Sequence, residues 1–186
     1  MLYVYRGIPV EVSSSPVERF LEAAGRVGPN WATEADGYNS YIVLYNRENF
    51  VERLKAAASD LPEAGFAEAI RARMVMTYET ASKLRNAWAR VDSYAVTANE
   101  QMLAWSTAML LGLINRRYYP SGRGFYQLSK QMERKPKDYD RLLDLAGGFA
   151  PAGKEEVYRA ALELWDNLRE LAGELGIEWR EERLKV

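Results

Sequence analysis

The sequence predicts a mainly α protein, an antiparallel helix bundle with a small β element at its N-terminal end. Three observations predict it. Apolar residues recur at alternating spacings of four and three over Ile70, Met74, Thr77, Ala81, Leu84, Trp88 and Val91, and again over Val157, Ala161, Leu164, Leu168, Leu171 and Leu175. Between them, the stretch from Met102 to Ile114 is apolar on nearly all sides. It is too short to span a bilayer and suits a helix buried inside a bundle. Strand-like runs are confined to the N-terminal part.

Taken in order, Tyr3-Val4-Tyr5 and Ile8-Pro9-Val10-Glu11-Val12 flank Arg6-Gly7 and read as strand, turn, strand. Ile8, Val10 and Val12 share one face, with Pro9 and Glu11 on the other. Pro9 marks an edge strand, or one whose neighbour is missing. A hairpin of this kind is marginal alone and needs a helix layer or another chain for support. Ser15-Pro16-Val17-Glu18 has the form of a capping box with proline in the first turn, and Val17, Phe20, Leu21 and Ala24 give the short helix one apolar stripe. Trp31 falls in a polar loop from Gly28 to Asn39. Tyr41-Ile42-Val43-Leu44-Tyr45 reads as a third strand, and Asn46 can cap a helix bearing Phe50, Val51 and Leu54. A second box, Asp60 and Glu63, opens the long helix ending near Val91. Further helices are expected over 94–116, after Gly124 and before Pro136, over 137–146 up to Gly147-Gly148, and over the last apolar seam. Short connections favour antiparallel neighbours.

Composition removes whole classes of chemistry. The chain has 186 residues, 48% of them hydrophobic, enough to bury ~70% of its unfolded surface in a real core. With Cys 0 and His 0, it has no disulfides, thiolate or imidazole ligands, cysteine nucleophiles or histidine bases. Acid–base work falls to carboxylates, lysine or tyrosine, and any metal must be held by oxygen, as Mg²⁺ is. A net charge of −1 advertises neither nucleic acid nor an anionic membrane. No basic start is followed by an apolar run, so the expectation is a soluble, cytoplasmic protein.

Several residues could carry chemistry. Glu79 and Lys83 lie four apart on the Ile70–Val91 helix and project away from its seam, with Asn86 and Arg90 continuing that face. Alone they read as a solvated i,i+4 ion pair; functionally they are a carboxylate base beside a cation for phosphate. Glu11 is an exposed strand glutamate or one carboxylate of a metal site. Asp138-Tyr139-Asp140 is the chain's Asp-x-Asp, but its place at a helix start suits the helix dipole better. Gly122-Arg123-Gly124 reads as a turn. Arg116 and Arg117 close the buried helix and serve its C-terminal carbonyls, and Trp88, Trp105 and Trp165 fall on helical seams as core residues.

Taken together, several stretches resemble the kanamycin nucleotidyltransferase-like family. They are Val10-Glu11-Val12, Trp31, the run ending Leu44-Tyr45 with its helix, Glu79 through Asn86, Ala108-Met109-Leu110-Leu111-Gly112-Leu113 followed by Arg116, Tyr139-Asp140 and the Trp165 helix. Order and spacing agree over residues 8 to 184. The resemblance divides the chain into 1–59, a remnant of the catalytic domain with strands and short helices, and 60–186, a helical substrate- and nucleotide-binding bundle like the family's C-terminal domain.

The resemblance implies nucleotidyl transfer from a Mg²⁺-bound nucleoside triphosphate to a small-molecule hydroxyl. By position, Glu79 is then the general base, Lys83 binds the nucleotide's phosphate, and Glu11 is one metal ligand. The family's active site lies between two subunits, which implies a homodimer. Its upstream Gly-Ser turn and Asp-x-Asp or Asp-x-Glu pair have no match here, and Pro9 stands where the relative has a basic residue. The expectation is therefore a nucleotide- and substrate-binding half or relic, inactive alone, with Mg²⁺ held only if a complete site is assembled. The alternative is one subunit of a split nucleotidyltransferase whose partner chain supplies the missing carboxylates. A HEPN-type ribonuclease would need a histidine, which the composition denies.

Overall fold

Two long helices form the spine of the molecule in a computed structural model that describes residues 2–120 and 124–179. Helix α5 (Glu63–Ala89) turns through a short link into α6 (Ser93–Ile114), and the two pack along most of their lengths. The Asp92 side chain caps α6, accepting from the Ala95 N–H at 3.0 Å. Thr77 Oγ1 and Ser106 Oγ meet at 2.7 Å between the helices and fix their register. Helices α8 (Tyr139–Ala146) and α9 (Lys154–Glu174) close the bundle, α9 lying against both α8 and α6. The short α7 (Phe125–Ser129) also rests on α6.

The expected seams are the core. Ile70, Met74, Thr77, Ala81 and Leu84 on α5 and Ala161, Leu164 and Leu168 on α9 are buried, as is nearly the whole second half of α6. Each fully buried leucine contributes about 1.5–3 kcal/mol over leaving it in water. Trp165 is 1% exposed and meets Tyr78 and Trp179, whereas Trp88 is half-buried and stacks on Tyr158 at 4.1 Å. Val91, expected on the α5 seam, is not on it. The helix ends at Ala89, and Val91 stands in the left-handed region at φ 56°, 88% exposed.

The N-terminal part departs further from expectation. Strands β1 (Leu2–Tyr5) and β2 (Ile8–Glu11) form the predicted hairpin, with Tyr5 opposite Ile8 and Tyr3 opposite Val10. Arg6 at φ 50° and Gly7 at φ 81° make the two-residue turn that this strand twist favours. The third strand is absent. Tyr41–Tyr45 is an exposed coil, because the two-stranded sheet lies elsewhere and no described strand stands beside it. Trp31, expected in a loop, opens the short helix α2 (Trp31–Glu34) and is buried edge-on against Phe66. Its neighbour α3 (Asp36–Asn39) packs on α4 (Phe50–Ser59), as does α1 (Val17–Ala24).

Two expected capping boxes do not form. Pro16 and Pro62 occupy the N-cap positions of α1 and α5, with no side-chain hydrogen bond there. Asn46 does hold the start of α4, accepting from the Val51 N–H at 3.1 Å. Arg116 does not cap α6; its guanidinium pairs with Glu63 at the start of α5 and lies over the Phe66 ring. The carbonyl of Leu111 is met instead by the Asn115 amide at 2.8 Å. No helix among the described residues is long and apolar enough to cross a membrane.

Candidate functional site

Glu79 and Lys83 stand on the outward face of α5, one helical turn apart. The inward face at the same level is filled by Thr77, Thr80, Ala81 and Leu84, so the seam itself turns the acid and the lysine to solvent. Glu79 Oε2 and Lys83 Nζ are 3.8 Å apart, with side chains 59% and 68% exposed. That separation exceeds a hydrogen bond, so the ammonium keeps its donors for another acceptor. As a stabilising contact, the pair is worth only about 0.3–0.5 kcal/mol. Val75 and Met76, one turn earlier, are exposed at 37% and 47% and give the same face an apolar border. Asn86 and Arg90 continue it toward the end of α5.

Together these side chains offer a carboxylate able to accept a proton and a cation able to hold phosphate. The site is open, so a substrate held here would be covered on the far side by something other than the α5 face. Glu11 lies at the end of β2, exposed, and the hairpin packs against no helix to any extent comparable with its own pairing. The structure therefore brings Glu79 and Lys83 together and leaves Glu11 apart from them. Among the described residues, no three acidic side chains come together as a metal site. Glu11 alone offers too few oxygens for magnesium, which takes about six.

The Asp-x-Asp segment is structural. Asp138 occupies the N-cap position of α8 at φ 54° without a side-chain capping bond, and Asp140 in the first turn pairs with Lys135 at 2.9 Å. A groove of about 480 Å³ lies between α1 and the α2–α3 segment, lined in part by Arg19, Glu22, Arg26, Trp31 and Tyr38; neither Glu79 nor Lys83 lines it.

Sequence reading missed two buried charges in the bundle. Arg73 is fully buried; its guanidinium donates to the Pro29 carbonyl at 2.8 and 3.0 Å and to Asn30 Oδ1, and lies over Trp105. Burial pushes its pKa down. Glu100 is 5% exposed, and its Oε1 has no hydrogen-bond partner. Burial raises the pKa of that carboxyl. The available signal was position. Arg73 sits between Ile70 and Thr77 on one seam, and Glu100 between Val96 and Leu103 on another.

Comparison with known proteins places the chain in a family. Two relatives, each named aminoglycoside nucleotidyltransferase (4′), come from Staphylococcus aureus and a Bacillus species. Each is 23% identical to this chain over 162 residues, which is 87% of the chain and 64% of the relative. The chain thus matches about 64% of the length of these relatives. Residues 48–178, from the loop before α4 to just past α9, match the KNTase C-terminal domain, so the chain belongs to the KNTase C-terminal domain family.

Proposed function

We propose that this chain is the nucleotide- and substrate-binding half of a nucleotidyl-transfer site. In this reading, Glu79 is the base that takes the proton of an acceptor hydroxyl as its oxygen attacks the α-phosphorus of a nucleoside triphosphate. Lys83 holds phosphate charge, and pyrophosphate leaves. The observation that carries the reading is the open Glu79–Lys83 pair on α5, whose cation is 3.8 Å from its neighbour and free to meet a phosphate oxygen. Membership of the KNTase C-terminal domain family and relatives named for aminoglycoside nucleotidyl transfer support it.

A magnesium ion has one carboxylate, Glu11, within this reading, and the remaining ligands would come from outside the described residues. A separate polypeptide that supplies them is the split-enzyme version of the reading. The exposed Val75–Met76 border beside the pair favours it, because an apolar rim around a charged site suits a partner surface. Mixing the chain with a polypeptide that carries a Gly-Ser turn and an Asp-x-Asp pair should then produce transfer that depends on both.

Titrating ATP by calorimetry tests the binding half directly. The expected dissociation constant is on the order of 0.1–1 mM, weak because one lysine carries most of the phosphate contact. Lys83→Ala should weaken it several-fold. Lys130 is a poor control, since it pairs with Asp144 at 2.5 Å and is mostly buried. Lys154, exposed at the start of α9, serves instead, and Lys154→Ala should leave the affinity unchanged. Equal affinities for both variants, or no heat from any of the three proteins, would make Lys83 an ordinary surface lysine.

A further inference from the structure

The groove between α1 and the α2–α3 segment is walled by two helical faces of mixed charge. On the first wall, Arg19, Glu22 and Arg26 are spaced three and four residues apart and share one side of α1. Arg26 joins that side through the tight turn at Gly25, where its N–H donates to the Ala23 carbonyl. Facing them, Asn30, Glu34 and Tyr38 recur every four residues through α2 and α3. Glu22 has the spacing to pair with either arginine of its own wall, yet pairs with neither. Among the described residues, Arg19, Glu22, Arg26 and Glu34 make no ion pair at all. The groove therefore presents two guanidiniums and two carboxylates that do not satisfy one another.

Its base is held from the bundle side. Arg73, fully buried on α5, donates to the Pro29 carbonyl at 2.8 and 3.0 Å and to Asn30 Oδ1. Pro29 and Asn30 both line the groove. With its oxygen engaged by Arg73, the Asn30 amide keeps its two N–H donors for an acceptor in the groove. Trp31 is fixed beside it, edge-on to Phe66 at 4.9 Å. Core packing thus sets the base before a ligand arrives, which spares a ligand the cost of ordering it.

The charges select the ligand. A molecule of single charge gains from one pair of side chains and is repelled by the other, whereas a zwitterion meets both. The volume, about 480 Å³, falls within the roughly 300–1,000 Å³ of small-molecule sites and exceeds what an amino-acid backbone fills. Trp31 and Tyr38, with the small Ala23 and Ala35, give the remaining space an apolar surface suited to a flat ring. We propose that this groove binds a zwitterion with an aromatic side group, an aromatic amino acid or the aromatic residue of a short peptide. The arginines and the Asn30 amide take its carboxylate, and Glu22 and Glu34 take its ammonium. The inference does not rest on nucleotide binding at Lys83.

Calorimetry with L-tryptophan and three analogues tests it. Tryptamine lacks the carboxylate, indole-3-propionate lacks the ammonium, and L-alanine lacks the ring. Tryptophan should bind with a dissociation constant on the order of 0.1–1 mM, and each analogue about tenfold more weakly. Arg26→Gln and Glu22→Gln should each weaken tryptophan about tenfold. Both side chains are exposed, so the circular dichroism of the two variants should match the wild type. Lys83→Ala should leave tryptophan binding unchanged, which separates failure here from failure of the nucleotide reading. Tryptamine or indole-3-propionate binding as tightly as tryptophan would make this a site for one charge and overturn the inference. So would alanine equal to tryptophan, affinity indifferent to both groove variants, or no heat from any ligand.

Discussion

At Gly112 the backbone of α6 passes so close to its neighbours that a side chain has no room. A β-carbon built there would stand 2.5 Å from Ala32 Cβ, 2.9 Å from the Arg117 carbonyl oxygen and 3.1 Å from Tyr119 Cε2. The first two are anchored to backbone and cannot swing aside. Gly112→Ala gains about 1 kcal/mol of helix propensity and loses about 1–3 kcal/mol to overpacking. Neither the Ala32 methyl nor the Arg117 carbonyl can swing aside, so the loss should win, and urea denaturation should show a lower midpoint and a net loss of up to ~2 kcal/mol. A raised midpoint would mean that α2 moves away from α6 more freely than its packing implies. Glu100 makes the opposite kind of prediction. Burial raises its carboxyl pKa, so the folded protein binds that proton more tightly than the unfolded chain does. The penalty is therefore absent below the ordinary glutamate pKa of about 4.3, grows as pH rises above it, and is complete once pH exceeds the raised folded value. Glu100→Gln should stabilise the protein by about 1 kcal/mol at pH 7. It should leave the melting temperature unchanged near pH 4, and a gain that persists at pH 4 would assign the effect to packing instead of charge.

The helices were legible because one physical signal, apolar spacing, both causes and announces them. The α5 seam from Ile70 to Leu84, the α9 seam from Ala161 to Leu168, the buried α6 and the stop at Gly147-Gly148 lie where the pattern puts them, whereas Val91 and Leu175, expected at the ends of the seams, are exposed. Boundaries were less so. Ser15 and Asp60 have the chemistry to cap, but prolines take the cap positions of α1 and α5 and the boxes do not close. Tyr41–Tyr45 shows why strands are harder to read. Their residues favour pleated backbone, yet a strand exists only when another strand satisfies its N–H and carbonyl groups, and nothing in the local sequence says whether one stands alongside. Trp31 failed for a related reason, since four residues of α2 are too few to show a period. The candidate site divides in the same way. The Glu79–Lys83 proximity follows from helical geometry alone, and the structure places the two together on the outer face. How Glu11 relates to them depends on packing between the hairpin and the bundle, which spacing along the chain does not encode.

Considered entire, the molecule joins a well-packed bundle to an N-terminal region whose apolar surface is left uncovered. The bundle's core runs from Trp31 and Ala32 through α5, α6, α8 and α9 without a break. By contrast, Ile42 and Leu44 are 88% and 93% exposed, as is most of the hairpin. That imbalance bears on activity. Nucleotidyl transfer needs charge neutralised at the α-phosphorus as the new bond forms, and clustered carboxylates that hold hard cations usually supply it. Among the described residues there is no such cluster, and the one carboxylate assigned to a metal, Glu11, stands on the hairpin, apart from α5. Glu79 can still deprotonate a hydroxyl and Lys83 can still hold a phosphate. General acid–base help of this kind contributes about 10²–10⁴-fold, a small part of the ≥ ~10⁶-fold acceleration typical of enzymes. The 186-residue chain, purified alone, should therefore transfer no nucleotide from any triphosphate to an aminoglycoside in the presence of magnesium. Mass spectrometry of the acceptor after prolonged incubation is the direct measurement. Modified acceptor above the protein-free background, lost again in Glu79→Ala, would mean that this chain assembles a complete centre by itself.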